Sequence, residues 1–132
     1  MTQEEKDLLI KDLSARLPYK VKFSFNLWNE EKQEEVNTVC TLFSVNTDGY
    51  CEALEESGHI PLEFVKPYLR PMASMTEGEW RIYKELSSNF GFTEFHKASA
   101  ILVGWLNQKM LDYRHLIPNG LALEAPNGMY NS

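Results

Sequence analysis

Three histidines, two cysteines and a scatter of carboxylates are the residues of this 132-residue chain with the chemistry for catalysis or metal binding. Imidazole titrates near neutral pH and ligates metals, so His59, His96 and His115 come first. No two of them share the i, i+4 spacing of a helical ligand pair, and no His/Cys set has the spacing of a zinc site. Asp112-x-x-His115 comes nearest, since a helix there would put both side chains on one face. A solvated or capping arrangement is the ordinary alternative. Cys40 and Cys51 have no histidine beside them in sequence and fall in strand-like segments, where thiols serve as small packing groups. Gly-x-Ser-x-Gly elbows, phosphate loops and Gly-x-Gly-x-x-Gly turns do not occur. These residues assign no catalytic, cofactor or metal site, and the expectation leans away from an enzyme.

Side chains suited to partner contact are easier to find. Lys66-Pro67-Tyr68-Leu69-Arg70 offers Tyr68 and Arg70, two residue types that anchor interfaces. The competing reading is a structural crossing, with Tyr68 and Leu69 packed and Arg70 paired to an acid. Arg114, in Asp112-Tyr113-Arg114, is open to the same alternative. The acids are more distinctive. The chain has 19 acidic and 13 basic residues, a net charge of −6, which is wrong for a protein that binds by neutralising phosphates. Residues 1–60 hold 12 acids and 6 bases, whereas 61–132 hold 7 of each. Glu30, Glu31, Glu34 and Glu35, offset by Lys32, carry −3, and Glu52, Glu55 and Glu56 carry the other −3. These seven are the candidate contact residues for a basic partner, with a solvated rim as the alternative.

The elements that must position these groups follow from periodicity. Thr2 and Glu5 form a capping box for a helix over 3–16, with Leu9, Leu13 and Leu17 on one stripe, and Pro18 stops it. From Tyr19 the period is two: Val21, Phe23, Phe25 and Leu27 alternate with polar residues. A charged hairpin loop then leads into a strand from Val36 to Val45, with Val39, Thr41, Phe43 and Val45 on one face. Asn46-Thr47-Asp48-Gly49 is a turn, and Tyr50 to Leu54 a third strand. With Asn46 facing Gly49, Cys40 would face Glu55 and Cys51 would face Ser44. The thiols are then roughly 13 Å apart at about 3.3 Å per residue, beyond disulfide reach. The same register aims both acid groups at one end of the sheet. His59 to Leu62 reads as a short fourth edge strand, so the sheet covers about 20–62. Residues 63–75, with Pro67 and Pro71, read as an extended connector. Thr76 and Glu79 repeat the capping box for a helix over about 77–87. Asn89-Phe90-Gly91 breaks that helix, and Thr93 caps another over about 94–111, whose apolar face includes Phe95, Ala98, Leu102, Trp105, Leu106 and Met110. Residues 112–132 form an ordered tail that frays after Met129.

These elements predict a single α+β domain: one helix, a three- to four-stranded antiparallel meander, then two helices and a tail. Val65-Lys66-Pro67-Tyr68-Leu69-Arg70-Pro71-Met72-Ala73-Ser74-Met75-Thr76 resembles a segment of small proteins encoded in prophages and mobile elements of gut anaerobes. Leu13-Ser14-Ala15-Arg16-Leu17-Pro18-Tyr19 is similar too, as are Trp105-Leu106-Asn107, Asp112-Tyr113-Arg114, Leu116-Ile117 and Gly120-Leu121-Ala122-Leu123-Glu124-Ala125-Pro126. The resemblance implies a phage-linked protein and carries no catalytic residues with it. The polar, acidic start Met1–Lys6 lacks the pattern of a secretory signal, and the longest apolar-rich run, Ala98–Gln108, is short of the roughly 20 residues that span a bilayer. The expectation is therefore a cytoplasmic, non-enzymatic accessory protein without cofactors, acting on a protein partner. The alternative is an enzyme or small-molecule-binding domain with a pocket between sheet and long helix, near His96, Trp105 or Tyr113. Direct nucleic-acid association is a third reading, disfavoured by charge.

Overall fold

The computed structural model describes residues 1–88 and 95–130. Helix α1, Gln3–Arg16, starts at Thr2, whose hydroxyl accepts from the Glu5 amide at 3.1 Å while the Glu5 carboxylate accepts from the Thr2 amide at 2.9 Å. This exchange satisfies amides that a first helical turn leaves free. The helix sinks Leu9 and Leu13 into the core and, between them and after them, Asp12 and Arg16. A 3-10 turn at Leu17–Tyr19 contains Pro18, and Lys20, at φ 60, then redirects the chain into the sheet.

Six strands form one mixed sheet: β1 Lys22–Asn29, β2 Glu34–Val45, β3 Tyr50–Ala53, β4 Ile60–Pro61, β5 Lys66–Leu69 and β6 Leu123–Glu124. Their spatial order is β4-β3-β2-β1-β5-β6. The expected three- to four-stranded meander is therefore incorrect. The supposed connector supplies β5, antiparallel to β1, and the supposed tail supplies β6, parallel to β5. The prolines forbid a helix there but not a strand. Pro67 stands opposite Phe23, where the alternation of an antiparallel ladder turns backbone groups away from β1. On its other side β6 pairs only with Tyr68 and Leu69, so the missing N–H breaks no ladder bond.

The hairpin register decides the facing of β2. Phe23 pairs with Cys40 and therefore shares its face, which buries Cys40 and Leu42 and leaves Val39 and Phe43 outside. A bulge between Leu42 and Ser44 shifts the β2–β3 pairing, so Cys51 faces Val45 rather than Ser44. Both cysteines are buried and unpaired. The inner face of the sheet is covered by α1 and by the crossing from β4 to β5, where Leu62 and Val65 are buried.

Helices α2, Glu77–Ser88, and α3, Phe95–Gln108, pack on a second small cluster of Met75, Leu106 and Leu111. The α3 helix ends earlier than expected because Met110 takes φ 58. Its carbonyl then accepts from the Arg70 amide at 2.7 Å, and the Asp112 amide donates to the Arg70 carbonyl at 2.8 Å. The expected break at Asn89–Gly91 and the Thr93 cap lie outside the described residues, as do the side chains of Phe95, His96 and Ala98. The tail stays anchored one residue past Met129: the Tyr130 hydroxyl accepts from the Lys22 amide at 2.9 Å and donates to the Tyr68 carbonyl at 2.7 Å. It thereby closes the gap where β1 and β5 part. Among the described residues no helix is long and apolar enough to cross a membrane.

Candidate functional site

Arg114 follows its structural alternative and pairs with an acid on α1, in a buried cluster whose other members, Asp12 and Arg16, the sequence reading did not single out. Asp12 and Arg16 lie one turn apart on α1 and are both fully buried, with Arg16 Nε 3.0 Å from Asp12 Oδ2 and Nη2 3.1 Å from Oδ1. Arg16 Nη2 also donates to the Leu111 carbonyl at 2.7 Å, and Arg114 reaches the same Asp12 carboxylate at 2.7 Å. Both guanidinium groups lie over the Tyr113 ring, 5.4 Å from its centroid for Arg16 and 4.6 Å for Arg114, and the Tyr113 hydroxyl donates to Asn107 Oδ1 at 2.8 Å. The network fastens α1 to the turn after α3. Burying charge is costly unless it is paired, and here one carboxylate serves two guanidinium groups. The signal in the sequence was an acid and a base at i, i+4 within an apolar stripe, a spacing that pairs side chains on any helix. Arg114 lies 102 positions beyond Asp12, so which acid it meets could not be read from local spacing.

Arg70 follows its structural alternative. Its guanidinium grips Glu79 with two bonds, 2.6 and 2.8 Å, and also donates to the Ser74 carbonyl at 3.3 Å. Glu79 at the same time closes the α2 capping box, accepting from the Thr76 amide at 2.9 Å. The Arg70 hydrogen bonds, more than the Thr76 amide, hold the Glu79 carboxyl at about 2, below its ordinary 4.5. A groove of about 510 Å³ runs past this pair, lined also by Thr76, Glu124, Pro126 and Tyr130. Its strongest polar groups are already committed to one another. Tyr68 is half-buried, and its carbonyl takes the Tyr130 bond.

The expected Asp112–His115 pairing is not made. Asp112 is buried and accepts from the Leu116 and Ile117 amides at 2.8 and 2.9 Å, whereas His115 is exposed at φ 60. The other site expected near Tyr113 and Trp105 divides in two: Tyr113 carries the arginine stack, and Trp105 packs in the second apolar cluster. Burial, followed by the nearby Glu55 and Glu56, pushes the Cys40 thiol up to about 11. Burial, then Cys40 and Glu52, pushes Cys51 up to about 12. Both thiols are thus protonated at neutral pH and poor nucleophiles. Among the described residues no three His, Cys, Asp or Glu side chains converge to hold a metal.

The two acid groups do not come together as expected. The Glu55 carboxylate binds the Thr41 amide at 2.8 Å and the Thr41 hydroxyl at 3.0 Å, substituting for the strand that ends before it. Glu52 accepts from the Ser44 hydroxyl at 3.0 Å. Thr41 is six residues from Glu35 along β2, roughly 20 Å at about 3.3 Å per residue. Glu56 lies closer to the hairpin, lining a shallow hollow with Phe25, Asn26, His59 and Phe64.

Glu30, Glu31, Glu34 and Glu35 remain exposed at the tip of the β1–β2 hairpin, where the turn is tied by Asn29 Oδ1 accepting from the Lys32 amide at 3.0 Å. β1 and β2 pair over their whole length, but β5 joins β1 only at Phe23 and Ser24, and β3 joins β2 only from Leu42 onward. Phe25–Asn29 and its partner strand therefore form a two-stranded arm, roughly 16 Å long at about 3.3 Å per residue. The Leu42 amide bonds to the Val21 carbonyl, so even-numbered residues of β2 face β1 and odd-numbered ones face outward. Glu35, Asn37 and Val39 thus present outward amides and carbonyls, as Asn26 and Trp28 do on the other edge. Trp28 is exposed and stands opposite Glu35.

No family model matches the chain, and no curated protein or solved structure is significantly similar to it.

Proposed function

We propose that the protein is a non-enzymatic, cytoplasmic accessory protein of phage or mobile-element ancestry, and that it works by protein–protein contact through the β1–β2 arm. The observation that carries this reading is the arm itself. It joins two open strand edges, an exposed tryptophan and four exposed glutamates on a ribbon that no third strand among the described residues covers. Open edges accept an added strand through main-chain hydrogen bonds, and their charge selects which strand. A segment rich in lysine or arginine is the complementary partner; an acidic one is repelled. The chemistry-bearing groups elsewhere favour this over catalysis, because Arg70, Asp12 and Asp112 are committed to internal partners and both thiols are held protonated.

The test is capture of host and phage proteins by the wild-type chain and by a variant with Glu30, Glu31, Glu34 and Glu35 all changed to Lys. The partner retained by the wild type should be lost. Equal recovery by the two proteins would remove the arm from the function.

A further inference from the structure

Among the described residues, one face of the sheet is covered and the other is left open. On the inner face α1 and the β4–β5 crossing bury Phe23, Cys40, Leu42 and Cys51. On the outer face β2 presents Val39, 45% exposed, and Phe43, 58% exposed, and Leu54 stands beside them at 59%. They are neighbours by pairing: the Leu54 amide bonds to the carbonyl of Thr41, which lies between Val39 and Phe43 on the same strand. Single apolar side chains at a surface need no explanation. Three together, two on the middle strand β2 and one beside it, mark a surface that something covers.

Charge on this face is sorted by sign. Ser24 pairs with both Val39 and Lys66, so Lys66 belongs to the outer face, as does Lys22 two residues along β1. Glu52 joins the same face across β2, through its bond to Ser44, and Glu55 through its bond to the Thr41 hydroxyl. Lys66 on the β1–β5 side and Glu52 on the β3 side flank β2 with opposite charge, while Lys22 and Glu55 both reach the Thr41 hydroxyl between them, at 3.3 and 3.0 Å. These four charges sum to zero; the arm's acids, with Glu35 on this same face opposite Trp28, lie at the far end of β2. A partner of uniform sign, nucleic acid included, meets repulsion on one flank. A second copy does not. A two-fold axis along β2 turns the basic flank of one copy over the acidic flank of the other and sets Val39 and Phe43 against their own counterparts.

We propose that the outer face of the sheet is the interface of a homodimer, formed sheet on sheet and isologous, with β2 of each copy at its centre. Sedimentation equilibrium of the full chain tests it. The wild type should show a reversible, concentration-dependent dimer. Phe43→Asp should sediment as a monomer with an unchanged circular dichroism spectrum. Lys66→Glu, which disturbs no packed side chain, should weaken association about tenfold. Phe64→Asp, at an equally exposed residue lining the hollow beside Phe25, should leave the dimer intact. A wild type monomeric up to about 1 mM, or a dimer indifferent to both Phe43→Asp and Lys66→Glu, would overturn the assignment. So would equal dissociation by Phe64→Asp. The same axis lays each arm beside its counterpart, so the arm glutamates repel across the dimer. Changing Glu30, Glu31, Glu34 and Glu35 to Gln should leave the dimer at least as tight while removing the arm's partner, so this proposal and the arm's role can fail separately.

Discussion

Asp12 shows what a single buried carboxylate does here. It neutralises Arg16, which has no access to water, and it fixes Arg114 against the Tyr113 ring. Removing one partner of a buried pair leaves a charge with no compensation, a loss of about 3–5 kcal/mol. Asp12→Ala should lower the unfolding free energy by that order in a urea titration. A loss below about 1 kcal/mol, the worth of an exposed pair, would show that water reaches the site. Arg16 Nη1 already lacks a hydrogen-bond partner among the described residues, so the cluster has little slack to absorb a second loss. The cysteines are the complementary case: the side chains with the most intrinsic reactivity are the ones that burial has silenced.

At the scale of elements, the main core and the smaller α2–α3 cluster are separate, and their elements are tied by individual bonds, the backbone pairs of Arg70 with Met110 and Asp112 among them. Tyr130 locks the tail to β1 and β5, and the Arg70–Glu79 pair locks α2 to the end of β5. The second lock is sensitive to acid. The folded state holds the Glu79 carboxyl at about 2 and the unfolded chain at its ordinary 4.5, so the folded protein keeps it ionised more firmly. Its contribution is complete above about pH 4.5 and disappears as pH falls toward 2. Thermal melts between those values should therefore show the wild type losing stability more steeply than Glu79→Gln. Parallel curves for the two proteins would mean that the pair contributes nothing to folding.

For the whole molecule, the placement of charge matters more than its sum. The hairpin tip carries −3 of the −6 on a ribbon outside the core, where charge has little bearing on stability and much on partner choice. Changing Glu30, Glu31, Glu34 and Glu35 to Lys should alter the unfolding free energy by no more than about 0.5 kcal/mol per site, even if it abolishes binding. A larger destabilisation in chemical denaturation would place the glutamates in the folded structure's own interactions. An arm dedicated to contact and a sheet face dedicated to self-association would make the protein a dimeric adaptor with two arms.

Local spacing in the sequence determined α1, both capping boxes, the β1 alternation and the turn at Asn46–Gly49, because each depends on residues within four positions of one another. It also placed Glu30 and Glu31 in a hairpin turn, whereas pairing with β1 made Glu34 and Glu35 the first residues of β2. The tertiary structure alone decided that a proline-bearing connector and a tail would be strands, since β5 and β6 exist only through partners distant in sequence. It decided the facing of β2 as well. The odd-numbered Val39, Thr41, Phe43 and Val45 look like the buried set, yet the pairing of Phe23 with Cys40 turned Val39 and Phe43 outward. A strand's alternation shows that two faces differ; only its partner strand determines which one meets the core.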